Sequence, residues 1–133
     1  MKNWSKSWNS SKKPAKQRKY RFQSPLNIKQ KFMHVNLCKP LRDKHNLRQI
    51  LVRKGDKVQI VRGQQKKKSG IVNRVSLIRG RVFIEGIENK RQEGQSGMIG
   101  FQPSNLVIME LNLEDKKRKA KLEKKVKIQE KKK

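Results

Sequence analysis

Between Gln49 and Leu111 the apolar residues of this chain fall into five short bursts with a period near two, a pattern missing from the stretch before Asn46. Val58, Ile60 and Val61 form the first, and Ile71, Val72, Val75 and Leu77 the second. Val82, Ile84 and Ile87 follow, then Met98 to Phe101, then Leu106, Ile108 and Leu111. Alternation sends one set of side chains to one face, so each burst predicts a short β-strand. The separators, Gly63 to Gly70, Arg79-Gly80, Asn89 to Gly94 and Pro103-Ser104-Asn105, are rich in turn formers. Five strands in about 60 residues close most economically into a small barrel, because closure removes exposed edges. The core of so small a barrel is thin.

The rest of the chain has a different character. Residues 1–22 are rich in Ser, Lys and Asn and poor in aliphatic residues, which predicts a basic extension that orders only against its ligand. Residues 23–48 read as a short helical segment. Ser24 is placed as N-cap and Pro25 at the first helical position, with Leu26, Ile28, Phe32, Met33 and Leu37 at roughly helical intervals. A second short helix is expected over Lys39 to Lys44, with Leu41 facing inward and Asn46 as its stop. Residues 49–111 are the barrel, and residues 112–133 a charged tail, helical or disordered. Glu114 with Arg118 and Glu123 with Lys127 stand at i,i+4 in that tail, pairs worth only ~0.2–0.5 kcal/mol each. Leu122, Val126 and Ile128 are too few for a helix-pairing stripe. The fold class is therefore mainly β, a small barrel with short N-terminal helices and basic extensions at both ends.

Charge narrows the partner. The chain has 37 basic and 10 acidic residues and a formal net charge of +27, and Asp43 is its first carboxylate. Twelve lysines and arginines precede it without one acid, an imbalance that a polyanion neutralises, and nucleic acid is the expected polyanion. A membrane-surface helix would interleave aromatic and aliphatic residues with its lysines, and the first twenty residues do not. No run approaches the roughly 18 apolar residues of a spanning helix, nor does the polar N-terminus hold a signal-peptide core. Cys38 is the one cysteine, which fits a reducing compartment. His34 lies four residues before it, but two ligands do not make a structural zinc site. No cofactor, metal or small-molecule substrate is expected. Asp56, Glu85, Glu88 and Glu93 are scattered acids that temper the basic surface, and no nucleophile, base and orienting group assemble into an enzyme. Lys67-Lys68-Ser69 lacks the glycine that a phosphate-binding NTPase loop requires before Lys-Ser.

The most specific stretch runs from Arg53 to Val72. Two strands flank a loop with three consecutive lysines, Lys66, Lys67 and Lys68, and Gly63 and Gly70 mark its bends. Such a loop projects cations and backbone amides together, which suits phosphate; the plainer alternative is a solvated hairpin. Upstream, Lys12, Lys13, Lys16, Arg18, Lys19 and Arg21 are placed for phosphate contacts.

This stretch resembles the KOW motif of nucleic-acid-binding SH3-like barrels. Gly63, Lys66 and Gly70 follow its pattern G-x-x-K-G-x-x-G, with Lys67 where glycine is usual. Elongation factors and several ribosomal proteins share that motif, and the flanks separate them: Lys12 to Lys19, Ser24 to Met33, Val52 to Asp56, Gln102 to Leu106 and Leu111 to Leu113. With these the chain resembles the archaeal and eukaryotic branch of the large-subunit ribosomal protein twenty-four family, twenty-six in eukaryotic naming, from about Lys12 to Leu122. Gln102 stands where histidine is common. The resemblance implies an SH3-like barrel in the large subunit of cytoplasmic ribosomes. It would dock on the 5′ domain of the large-subunit ribosomal RNA near the exit-tunnel mouth, beside neighbouring ribosomal proteins, and act early in assembly. Lys29, Lys31, Arg53, Lys54, Arg62, Arg74, Ser104 and Asn105 complete the expected RNA contacts. The rival reading is a transcription elongation factor or RNA chaperone built on the same barrel; such elongation factors carry a polymerase-binding domain first, and the 48 residues before Gln49 are too few and too basic for one.

Overall fold

A computed structural model describes residues 4, 5, 7, 11–90, 94, 96–120 and 122–123. Its strands are β1 (His34–Leu37), β2 (Gln49–Leu51), β3 (Lys57–Ile60), β4 (Ser69–Ser76), β5 (Arg81–Lys90), β6 (Ser96–Phe101) and β7 (Leu106–Glu110). Three helices, α1 (Pro14–Gln23), α2 (Leu26–Phe32) and α3 (Lys39–His45), and a 3-10 turn at Pro103–Asn105 accompany them. The sheet order is β2-β1-β7-β3-β4-β5-β6. Only β1 and β7 run parallel among the registered pairs.

The sheet covers itself. Val35, Leu37, Val58, Ile60, Val72, Val82, Ile84, Leu106 and Ile108 have no accessible surface and belong to one core. Among the described residues no second sheet lies over them, so this single layer buries its face by coiling into a barrel. Two strands make the corners. β4 gives its first half to β3, where Val58 pairs with Gly70, and its second half to β5, where Ser76 pairs with Arg81. β5 bends at Gly86, whose φ is +73°, and its register against β6 shifts between Phe83 and Glu88. At Gly70 the close approach leaves no room for a side chain: a Cβ there would lie 2.6 Å from Ile84 Cγ2 and 2.9 Å from Glu85 O.

All five expected strands are present as β3 to β7, and α3 stops at Asn46, which adopts the left-handed conformation with φ +50°. The N-terminal part needs correction. The helix expected to reach Leu37 ends at Phe32, and the chain continues as β1. Met33, Val35 and Leu37 are all buried, a spacing of two that satisfies a strand beside β7 and β2, whereas a helix would turn Val35 away from that core. Ser24 does not cap α2. Its hydroxyl donates to Arg21 O at 2.7 Å, closing α1, and Pro25 is the residue before α2. α1 itself lies in the basic extension and buries no residue. Trp4 leans on it, with its ring 5.0 Å from that of Tyr20 and its indole N–H donating to Tyr20 O at 3.2 Å.

The C-terminal segment is helical where it is described, one of the two states expected of it, but it is packed on the barrel rather than left as a free charged tail. Residues 116–120 and 122–123 are helical, and Arg118 and Leu122 are buried. Arg118 pairs with Asp56 rather than Glu114. Its Nη1 donates to Oδ1 at 2.6 Å and its Nη2 to Oδ2 at 2.8 Å. Asp56 is therefore no surface acid: it is wholly buried and also accepts from the backbone N–H groups of Arg53 and Asn112, at 2.8 and 3.0 Å. Arg118 further donates to Asn112 O and Leu51 O at 2.8 and 3.2 Å. This clamp ties the segment after β7 to the loop before β3. Glu93, Val126, Lys127 and Ile128, with most of the turn expected after Asn89, fall outside the described residues.

Candidate nucleic-acid interface

The lysine loop is a tight extension of the β3–β4 hairpin. Ile60 N–H donates to Lys68 O at 2.9 Å, and Lys67 N–H to Ile60 O at 2.8 Å. Lys66 N–H closes a turn on Gly63 O at 3.0 Å, and Lys68 N–H another on Gln65 O at 3.2 Å. Gly63 has φ +97°, which its missing Cβ permits. Lys67, at the position where the KOW pattern carries glycine, has φ +72°, so the left-handed conformation persists without the glycine. Lys66, Lys67 and Lys68 are exposed, and none has a carboxylate partner among the described residues.

The turn at Pro103–Asn105 lies against this hairpin, because Val61 N–H donates to Asn105 O at 2.9 Å. That bond brings the Ser104-Asn105 pair beside Val61-Arg62. Ser104 also lines a groove of about 500 Å³ with Arg21 of α1 and Lys29 of α2. A second, shallower hollow gathers Arg53, Lys54 and Arg74 beside Gln30 of α2, and both hollows border Leu77. Arg74 lies over the Phe83 ring, 4.8 Å from its centroid. Arg53 is tied to Asp115 by an ion pair. That hydrogen bond first, then the backbone N–H of Lys117, holds the Asp115 carboxyl below its usual 3.8. Lys12 and Lys13 precede α1, Lys16, Arg18 and Lys19 stand along it, and Lys31 is on α2; these six line neither hollow.

Sequence reading missed Phe22, Phe32, Ile78, Arg79 and Arg81 in the groove wall. The signal for two of them was local: Arg21-Phe22 and Lys31-Phe32 alternate cation and ring, a pairing suited to nucleotides. His34 and Cys38 share no helix. His34 opens β1 with Nδ1 2.7 Å from Lys31 O, and Cys38 precedes α3 with its thiol 3.8 Å from Met109 O. Among the described residues no group of three or more His, Cys, Asp or Glu could hold a metal ion, and no helix is long and apolar enough to cross a membrane.

Fold and surface together define a small basic β-barrel whose hairpin and turns present lysine, arginine and hydroxyl or amide groups outward. Residues 11–125 match the family described as the ribosomal proteins called L26 in eukaryotes together with their archaeal counterparts numbered twenty-four, and the chain belongs to that family. It is 40% identical over 116 residues to the large ribosomal subunit protein uL24 of Methanosphaera stadtmanae, covering 87% of this chain and 99% of that protein. To the large ribosomal subunit protein uL24 of Korarchaeum cryptofilum it is 37% identical over 121 residues, 90% of this chain and 92% of the relative.

Proposed function

We propose that this chain is a structural constituent of the large ribosomal subunit that binds ribosomal RNA, with its barrel on the 5′ domain near the exit-tunnel mouth, and that it supports early subunit assembly. The observation that carries this reading is the lysine loop: three exposed cations, held by main-chain hydrogen bonds on a rigid hairpin and free of carboxylate partners among the described residues. Such a loop meets phosphates with little ordering left to do. Arg62, Ser104 and Asn105 extend the contact along the adjoining turn, and Arg53, Lys54 and Arg74 extend it past α2. Lys12, Lys13, Lys16, Arg18, Lys19, Arg21, Lys29 and Lys31 give the N-terminal segment an acid-free grip on the same backbone. The names of the relatives favour the ribosome over an elongation factor, and the role is structural rather than catalytic, in the cytoplasm, beside other large-subunit proteins.

Sedimentation tests it. The tagged chain should travel with large subunits through a gradient at moderate salt, and the purified chain should bind 5′-domain RNA with an affinity that falls steeply as salt rises. A chain that stays at the top of the gradient and binds the RNA no better than an unrelated basic protein would overturn the reading.

A further inference from the structure

The groove between α1, α2 and the barrel combines features that a phosphate-binding surface alone does not need. Phe22 is 81% exposed, Ile78 73% and Phe32 40%, and all three line it. Large apolar groups left open to water beside one another mark a binding surface. Each ring already carries a cation: Lys29 Nζ lies 5.7 Å from the Phe22 centroid, and Arg21 Cζ lies 5.9 Å from that of Phe32. Arg79 and Arg81 line it as well, and among the described residues no carboxylate does. Gln49 and Gln102 add amides that can donate and accept.

We infer that this groove takes an unstacked nucleotide of the RNA, its base against Phe22 and its phosphate among Arg21, Lys29 and Arg79. The assignment follows from charge and shape together. The occupant must be anionic, because among the described residues four cations and no acid line the groove, and it must offer a flat apolar face to cover an exposed ring. A paired duplex offers phosphates but keeps its bases stacked inside, whereas a nucleotide in a loop or bulge offers both. Gln49 and Gln102 are placed to meet the base edge. The inference rests on the RNA-binding reading and adds to it a preference for unpaired RNA, which the lysine loop does not supply.

The test compares two probes of equal phosphate count, a short single-stranded RNA carrying one 2-aminopurine and a fully paired, blunt-ended RNA duplex, against the full chain and its Phe22→Ala variant. Phe22 is exposed, so the variant should melt with the wild type. Its affinity for the single strand should fall about 5- to 150-fold, with the salt slope unchanged and the 2-aminopurine quenching lost. Duplex binding should not change, and Phe22→Trp should restore the single-strand affinity. If Phe22→Ala binds the single strand as the wild type does, or loses both probes equally, the inference is overturned. If the wild type binds neither probe, the RNA-binding reading fails with it.

Discussion

Replacing Arg118 by methionine keeps most of the side-chain volume and removes the guanidinium from a site closed to solvent. Asp56 would lose both charged hydrogen bonds, at 2.6 and 2.8 Å, and retain only the backbone N–H groups of Arg53 and Asn112. Leu51 O and Asn112 O would lose their donor as well. With Asp56 wholly buried, bulk solvent cannot replace those donors, and removing one partner of such a pair destabilises by about 3–5 kcal/mol. That is a large part of the ~5–15 kcal/mol that holds an ordinary domain together, and it corresponds to a melting temperature lower by about 10–20 °C for a chain of this size. Urea unfolding followed by far-ultraviolet circular dichroism measures it, with the slope against denaturant expected to stay constant. Lys57→Met is the control. It breaks the exposed pair with Glu110, 2.7 Å long, and should change stability by no more than ~1 kcal/mol. Asp56→Asn should cost less than the sum predicts when combined with Arg118→Met, since both remove one interaction. If Arg118→Met melts no lower than Lys57→Met, the clamp contributes no more than a surface ion pair and the reasoning is wrong.

Lys67→Gly should stabilise the free protein by about 0.5–1 kcal/mol, because relief of left-handed strain exceeds the entropy glycine adds to the unfolded chain; thermal melting checks this, and the same variant should lower the salt slope of RNA binding by ~0.7–0.9. Substituting Lys66, Lys67 and Lys68 together by glutamine should weaken binding to 5′-domain RNA in a low-salt assay while the circular dichroism spectrum stays that of the wild type. Gly70→Ala should destabilise by about 1–3 kcal/mol in urea, since the new methyl meets the backbone of β5. Asp115 is held below 3.8 by Arg53, so its contribution is complete above that pH and is lost as the pH falls through its lower folded value; in an acid-unfolding titration the gap between wild type and Asp115→Asn should close over that range.

The strands from Lys57 to Glu110 were legible because each carries its own alternation and is bounded by glycine, proline or asparagine. Asn46 was legible for a similar reason, since few residues accept the left-handed turn that ends α3. β1 was not. Met33 and Leu37 satisfy a helical spacing as well as a strand, and what decides between them is β7, whose Val107 and Ile108 pair with Asn36 and Leu37 from the far end of the barrel segment. β2 is three residues long, too short for any period. The Asp56–Arg118 clamp left no trace either: its partners are 62 positions apart, and the nearer Glu114 offered a local pair that the fold does not use. Among site residues, the lysine loop was visible as a charge run between strands. The groove joining Arg21 and Lys29 to Ser104 was not, because only the packed helices bring those segments together.

The position of β7 has a consequence for how the chain is made. In the sheet it stands between β1 and β3, yet of the seven strands it is the last to leave the ribosome that synthesises it. Until Leu106–Glu110 emerges, β1 with β2 and β3 with the strands after it are two partial sheets, each showing the bare edge that β7 will join. The strand that sets Val35 and Leu37 in register beside Val58 and Ile60 is absent until then. Closure of the barrel is thus a late, non-local event, slower than the hairpins that precede it, and during that interval the open edges are available to other chains. The acid-free segment before Asp43 emerges ahead of the barrel and needs no barrel to attract phosphate, so under the proposed role a nascent copy could be held by RNA before its sheet has closed.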